Sequence, residues 1–522
     1  MRRTPLNSLN IFISERRVHC SLRGPLVLIH RNNHTASACS GDDDRRQWQR
    51  RRVVITGLGA ITPLGPDMET TWKSVLQNPS NDTKNNNQNN GITTLYHALQ
   101  QQNLSPAQFE QEWQILQSLS CQVAASVPSD WISNHPNAPN NSSAPWNDGR
   151  TSRFVQLALI AAKEAIASSG LDHWLGLSQN NSDAAQSAAI NSENEKYQQS
   201  KNDESNASID HNEELKIIHQ KRRETIGVSV GNGMSSTRDI SVASSTLRSS
   251  QPPSKAHRKL SPHFVPQILP NSPSARIAIH HQLMGPNLSH SEACAAGACA
   301  IGHAVELIQS GRVEGMVAGG CESAVEALGL VGFGRLRALS SGGGASVGTD
   351  NNDAAYKSSR PFDSQRNGFV LAEGAAMLVL EEYHHAVSRG APILAEVLGV
   401  GYSGDAFHIT APETEGSGAA RAMVQAVEDA ARNSCQESEG LRRVRDMNDV
   451  DYINAHATST PIGDVSEIRA IRLALSSTEH KNLKNLNDVP LLVSSTKGAT
   501  GKQHHFFSSS CFLLQHAFRH IN

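Results

Sequence analysis

The sequence predicts an α/β fold built mainly on parallel sheet and internally duplicated, and three observations carry that prediction. Short β-branched runs closed by glycine turns alternate with apolar stretches at helical spacing, the pattern of strand–helix–strand units. The series occurs twice, and the glycine-rich LAEVLGVGYSGDA at 394–406 has the same character as VVITGLGAITPLG at 53–65. With 522 residues, the chain has room for one large duplicated domain with appendages.

Taken in order, the first 41 residues hold six arginines and a single acid, Glu15, between serines, threonines and short apolar patches. No compact apolar stretch follows the first basic residues, so residues 1–50 read as an organellar leader, mitochondrial matrix rather than secretory, with plastid as the alternative. The globular part opens at Arg51 with a β-branched run that predicts a buried strand through Gly65. The Asn-rich block at 79–91 and the polar block at 178–215 lack the apolar residues needed to order themselves, and a Gly/Ser/Asn block follows at 341–358. Apolar residues at helical spacing predict a helix from Arg153 to Ser169, stopped by Gly170. TIGVSVGNGM at 225–234 predicts a second strand. Its GxG lacks the third glycine and acidic residue of a dinucleotide site. A helix is expected to run from Cys294 through Ile308, then strands over GMVAGGCESA at 315–324 and AAMLVLE at 375–381. The second series places a strand and turn at 394–406, a helix over 418–431, a strand leading into a polar loop at 451–467, and a helix from Glu467 to Ala474.

Composition excludes several function classes. A net charge of −2, from 47 basic and 49 acidic residues, has no nucleic-acid footprint. No apolar run approaches the roughly 18 residues that cross a bilayer, so no membrane insertion is expected. Eight cysteines at 20, 39, 121, 294, 299, 321, 435 and 511 show neither paired CxxC spacing nor the density of a disulfide scaffold, and no four-ligand metal set has plausible spacing. Cys299 and Cys321 read as core residues.

Cys294 stands just before an Ala/Gly run that begins a helix. Open N–H groups and the helix dipole favour a thiolate there, which makes Cys294 a candidate nucleophile; burial as a small hydrophobe is the alternative. A thiolate attacking a carbonyl needs a proton manager and donors for the developing oxyanion. HATST supplies His456 as acid, base or donor, with the hydroxyls of Thr458 and Thr460 on one side if the segment is extended. Asp464 and Glu467 either organise that loop or cap the following helix.

EACAAGA after GPN, then MVAGG, PFDSQRNGFVLAEGAA, SGDAFHITAP, NAHATSTPIGDVSE and SSTKGATG, together resemble the β-ketoacyl-[acyl carrier protein] synthases of the type II, mitochondrial or plastid kind. The resemblance covers residues 51–501 apart from the polar blocks. It implies a thiolase-like fold of five αβαβα layers in two duplicated halves, 51–380 and 394–501, paired as a homodimer. It implies decarboxylative Claisen condensation in fatty acid elongation. An acyl group passes from acyl carrier protein phosphopantetheine to the catalytic Cys294, with no bound cofactor and no metal. By motif, His456 is implied as a catalytic histidine and Lys497 as the lysine that orients the site. Thr458 and Thr460 are implied as pantetheine-binding, and Asp464 and Glu467 as site-organising.

After Gly501 the resemblance stops, so the second half is expected to be incomplete and 502–522 to be a non-family tail. Lys502 stands where the family has its second catalytic histidine, with His504 and His505 two and three residues late. A Gly-Lys pair can be encoded by a splice-donor sequence, so the tail reads as translated intron or shifted frame. Glu292 replaces the family's usual threonine and Asn367 its usual aspartate. Two other functions fit these departures: a catalytically deficient partner that only binds carrier protein, and a thiolase-like acyltransferase using coenzyme A.

Overall fold

In the computed structural model the described residues are 6–12, 50–76, 91–102, 104–135, 150–177, 211–342, 352–433, 444, 446–476 and 491–503. Of the expected leader they include the strand β1 (Leu6–Phe12) and Arg50. Strand β2 (Val53–Ile61) is buried along its whole length, as its β-branched start predicts. Helix α1 (Arg153–Ser168) follows, then strand β3 (Ile226–Gly231) and strand β4 (Asn287–His290). Helix α2 (Ala296–Gln309) leads to strand β5 (Gly315–Glu322), and strand β6 (Gly374–Glu382) to strand β7 (Ala395–Val397). The second series comprises strand β8 (Gly399–Gly404), helix α3 (Ser417–Asn433), strand β9 (Tyr452–Asn454), helix α4 (Gly463–Ser476) and strand β10 (Leu492–Ser494).

Six strands form one sheet in the order β7-β2-β6-β5-β3-β4. The mostly parallel sheet expected from sequence is corrected to a mixed one. β6 runs antiparallel to both β2 and β5, and β7 antiparallel to β2, leaving only β5–β3 and β3–β4 parallel. Alternation of strands and helices fixes their order but not the end from which each strand enters. The long excursion between β5 and β6 returns the chain from the opposite end. In the second series β9 and β10 pair in parallel, and β8 pairs antiparallel with β1.

Five layers follow from which side chains share a core. Leu157, Ala161 and Ala165 of α1 pack on Val228, Val317 and Val379 of the sheet. From the opposite face Ile301, Val305 and Ile308 of α2 meet Met316 and Leu378, and the same cluster takes in Val400 of β8 and Tyr452 of β9. Met423 of α3 and Ile471 of α4 close the far side against Ile453. α2 therefore lies between two strand layers, each backed by an outer helix layer, which is the αβαβα order.

Duplication shows at atomic detail. A Cβ added at Gly57 or Gly59 of β2 would lie 2.1 Å from the carbonyl oxygen of Ala165 or Ala161 on α1. At Gly399 and Gly401 of β8 it would lie 2.3 and 2.1 Å from those of Ala426 and Ala422 on α3. The same Gly-x-Gly strand is thus seated on the same Ala-x3-Ala helix in both halves.

Two polar blocks are more ordered at their ends than expected. Helix His211–Glu224 takes in the last five residues of the 178–215 block, and Asn352–Tyr356 form a short helix within 341–358, with Ala355 buried. Residues 79–90, 178–210 and 343–351 lie outside the described residues.

Buried charge locks the sheet to its flanking segment. Glu381 of β6 is fully buried, and Arg389 Nε donates to it at 2.6 Å, with Thr56 hydrogen-bonded to the same carboxylate. Burial alone would push the Glu381 carboxyl up, but Arg389 and then His385 hold it down to about 2. A carboxyl depressed in the folded state stabilises it above the ordinary carboxylate range, and that contribution disappears as pH falls from about 4.5 through about 2. Arg389→Met leaves a buried carboxylate without its cation and is expected to cost about 3–5 kcal/mol at pH 7. The deficit should shrink near pH 3, where Glu381 takes up a proton instead. Urea unfolding of both proteins at the two pH values checks this; an equal deficit at both would refute the assignment.

Candidate active site

The nucleophile candidate is carried by the turn between β4 and α2. Asn232, just past β3, donates its N–H to His290 O at 2.9 Å, and Ser291 Oγ returns a bond to Asn232 O at 3.0 Å, fixing the chain as it leaves the sheet. Ala293–Ala295 then form a 3-10 turn before α2 begins at Ala296, so Cys294 sits just ahead of the α-helix proper. It is in no disulfide and is half-buried. No side chain caps the start of α2. β3 passes so close beneath this start that a Cβ at Gly231 would fall 2.2 Å from the Ala296 carbonyl carbon. Ala293 adopts φ 51, a left-handed conformation that costs a residue with a Cβ about 1–2 kcal/mol. Periodicity and composition carry no trace of this strained residue, which immediately precedes the thiol.

The second group is carried by the loop after β9. Both His456 N and Ala457 N donate to the Glu467 carboxylate at 2.6 Å, so a side chain of α4 clamps the backbone of the histidine. Burial holds the Glu467 carboxyl above its ordinary range, although the two N–H donors and the neighbouring Lys497 pull against it. Lys497 is buried, its Nζ 3.3 Å from Ala455 O, and its own carbonyl accepts from Ser359 Oγ at 2.6 Å. Thr458 Oγ1 and Thr460 Oγ1 lie 3.1 Å apart. They meet although the segment is not extended: Ser459 between them has φ 67 and turns the chain. That kink is secured from the first half, since Ser459 Oγ accepts from Arg360 N at 2.9 Å and Ser459 O from Gly368 N at 2.9 Å.

Asp464 is not the cap of α4. It lies inside the first turn of that helix, which starts at Gly463 rather than at the expected Glu467. Its carboxylate accepts from Thr460 N at 3.2 Å and Phe362 N at 2.9 Å, and Arg366 Nε stands 3.6 Å away. Burial is the first influence on Asp464 and pushes its carboxyl up.

Six of the seven sequence-derived residues, His456, Thr458, Thr460, Asp464, Glu467 and Lys497, thus belong to one hydrogen-bonded and electrostatic group. Cys294 comes from a separate set of elements in the first half. Sequence reasoning gave no role to Arg366, which donates to Thr460 O at 3.0 Å and Pro461 O at 2.7 Å, nor to Ser359 and Ser459. Arg366 belongs to PFDSQRNGF, so the motif marked the place without showing the contact. Asn367 accepts from Ser340 Oγ at 2.8 Å and donates to Ser341 Oγ at 2.6 Å; the donated bond is one that an ionised aspartate could not make. The carboxylate of Glu292 faces His290, and the thiol on which it presses is Cys299, pushed up to about 12 by burial and then by Glu292. Lys502 lies on a two-residue strand, Lys502–Gln503, paired in parallel with Leu371–Ala372. His504 and His505 lie outside the described residues.

Residues 50–218 and 211–386 match the β-ketoacyl synthase N-terminal domain, and 394–510 match the β-ketoacyl synthase C-terminal domain. The chain is 37% identical over 454 residues to the mitochondrial 3-oxoacyl-[acyl-carrier-protein] synthase of Arabidopsis thaliana, a match covering 86% of this chain and 78% of that protein. Among solved structures, a β-ketoacyl synthase from Burkholderia phymatum superposes with a TM-score of 0.58 at 25% identity, covering 89% of this chain and 84% of that one. A ketosynthase bound to the hexaketide, solved in complex with its type II polyketide acyl carrier protein, superposes with a TM-score of 0.56 at 23% identity, covering 87% and 82%.

The clamp can be tested on its own. Glu467→Ala removes the acceptor of two buried backbone donors, each costing about 1–3 kcal/mol when left unsatisfied. Urea unfolding should show a loss of that order, together with faster amide exchange at His456 and Ala457. Unchanged exchange at those two amides would show that the carboxylate does not hold the loop.

Proposed function

The chain belongs to the β-ketoacyl synthase family, and on that premise we propose that it elongates fatty acids by decarboxylative condensation through an acyl-Cys294 intermediate. The observation that carries the reading is the Glu467 clamp, which presents His456, Thr458 and Thr460 from one short loop beside the buried Lys497. Cys294 Sγ attacks the acyl thioester on carrier protein; the carbon–sulfur bond to phosphopantetheine breaks, and the released thiol takes up the proton. Malonyl carrier protein then enters and loses carbon dioxide. The electron pair left on its α-carbon attacks the acyl-Cys294 carbonyl, expelling the cysteine thiolate and leaving a 3-oxoacyl thioester on the carrier.

His456 serves as donor to the oxygen that gains charge, where a preorganised N–H in a dry site contributes most. Thr458 and Thr460 hold the pantetheine arm by hydrogen bonds. Lys497 and Glu467 fix the loop, and Asp464 fixes its far end. The substrates arrive on acyl carrier protein and no bound cofactor takes part. The solved ketosynthase that carries its acyl carrier protein supports this partner.

A homodimer is supported by β4, whose outer edge has no strand partner among the described residues, and by the exposed apolar residues Ile279 and Met284 just ahead of it. A mitochondrial matrix location is supported by the arginine-rich leader and by the mitochondrial relative from Arabidopsis thaliana. A second reading, binding of carrier protein without condensation, is favoured by one feature: a lysine stands at 502, where the condensing enzymes place a second histidine.

Incubation with acyl and then malonyl carrier protein separates the readings. The condensing reading expects an acyl mass on Cys294, lost on Cys294→Ser, followed by 3-oxoacyl carrier protein. An adduct without product supports the binding reading, and no adduct rejects the acyl-cysteine route for this chain. A fluorescent fusion of residues 1–45 should colocalise with mitochondria; diffuse cytosolic signal would reject the leader assignment.

A further inference from the structure

The Gly-x-Gly strands of the two halves share more than the helices beneath them. On β2 the residue after each glycine turns its N–H to a side chain of α1: Leu58 N donates to Ser168 Oγ at 3.0 Å and Ala60 N to Glu164 Oε2 at 2.8 Å. On β8 the same two positions turn to α3, where Val400 N donates to Asp429 Oδ2 at 3.1 Å and Tyr402 N to Gln425 Oε1 at 3.2 Å. Ser168 and Glu164 stand to Ala165 as Asp429 and Gln425 stand to Ala426, so one edge of each strand is capped from the same helix positions. N–H groups alternate between the two edges of a strand, and the glycine amides therefore face the other edge. In the first half β6 lies on that edge, antiparallel, with Val379 opposite Gly57 and Met377 opposite Gly59. In the second half β1 lies there, also antiparallel, with Phe12 opposite Gly399 and Asn10 opposite Gly401. We propose that residues 6–12 are a stand-in strand, taking on β8 the place that β6 takes on β2, so that the leader segment completes an edge of the second half.

The helix layers agree with this placement. β6 runs between α1 and α2, and β1 runs correspondingly between α3 and α2. The segment LNSLNIF holds no proline, glycine or charge, so nothing in it interrupts a ladder. Beyond β6 the first sheet continues with β5, whereas beyond β1 no further strand follows among the described residues. The same stretch thus serves two states of the chain. Before folding its backbone is open to whatever reads a leader; after folding that backbone is engaged by β8. Removal of the leader would leave the amides of Gly399 and Gly401 on an open strand edge, able to take an extended segment from another chain. β1 also runs past Ala293–Ala295, so this opening would border the turn that carries Cys294.

Amide hydrogen exchange on the full chain, followed by mass, tests the assignment without reference to acyl transfer. The peptide covering residues 6–12 should be protected in the parent; free exchange there overturns the proposal. Two proline variants then read the register. Ile11 lies opposite Val400, whose N–H points away from β1, so Ile11 also turns its N–H away, and Asn10, opposite Gly401, turns its own toward β8. Asn10→Pro removes a ladder donor, whereas Ile11→Pro falls where an edge strand tolerates proline. Asn10→Pro should speed exchange of the peptide 399–404 about tenfold or more, since a ladder amide exchanges only when its pairing opens. Ile11→Pro should leave that peptide near the parent rate. Unchanged exchange of 399–404 in Asn10→Pro overturns the proposal. Continued protection of Val228 and Val230 on β3 reports that the first half is intact. If those amides open as well, a synthetic peptide of residues 4–14 added to Asn10→Pro decides: renewed protection of 399–404 supports the stand-in strand, and none overturns it.

Discussion

One buried carboxylate takes two consecutive backbone donors, and the second half of the candidate site hangs from that contact. The N–H groups of His456 and Ala457 leave the sheet where no strand can pair with them, and a buried donor without an acceptor is costly. Glu467 meets both, and a carboxylate bonded to N–H groups is a stronger partner than a neutral one. Its charge needs an answer in turn, which Lys497 supplies from the segment after β10. The Lys497 backbone is pinned to Ser359 of the first half. Asp464, one helical turn earlier on α4, repeats the device with Thr460 N and Phe362 N. A single helix face thus binds one loop from each half.

Much of this was legible in the sequence. The buried strands β2, β3, β5 and β6 announce themselves by composition, and α1 and α3 by spacing, within a few residues of their ends. The motif GDVSE contains Asp464 and Glu467, whose carboxylates accept from N–H groups of the loop. The direction of β6 was not legible, because direction depends on the path of the intervening chain and not on local pattern. Nor were the φ values of Ala293 and Ser459, since alanine and serine rarely adopt a left-handed backbone; at Ser459 it is held by bonds from Arg360 and Gly368. Arg366 was hidden for a similar reason: its partners are carbonyl groups of a loop about ninety residues away, and a sequence does not display main-chain acceptors.

The two sources of the site differ in how they are built. The loop that carries His456 is over-determined, with carboxylates, a lysine and two serines fixing nearly every backbone group. The turn that carries Cys294 is tied to Asn232 by one main-chain bond and one from the Ser291 hydroxyl, lies over the close pass of Gly231, and contains a strained residue. Departures from the family pattern are therefore cheaper at the turn. Glu292 enters there 3.7 Å from His290, and the bonds of the turn to Asn232 remain in place.

The bare Gly-x-Gly strands seated on Ala-x3-Ala helices have a consequence for how this architecture drifts. Where strand and helix touch backbone to backbone, the spacing between layers is a property of the main chain, and no side-chain volume enters it. Substitution elsewhere on the outer helices changes what those helices show to water or to a partner, while the layers behind them keep their separation. The four glycines act as fixed gauge blocks: the outer surfaces of the two halves are free to diverge, and the middle layer that carries the thiol stays where it is.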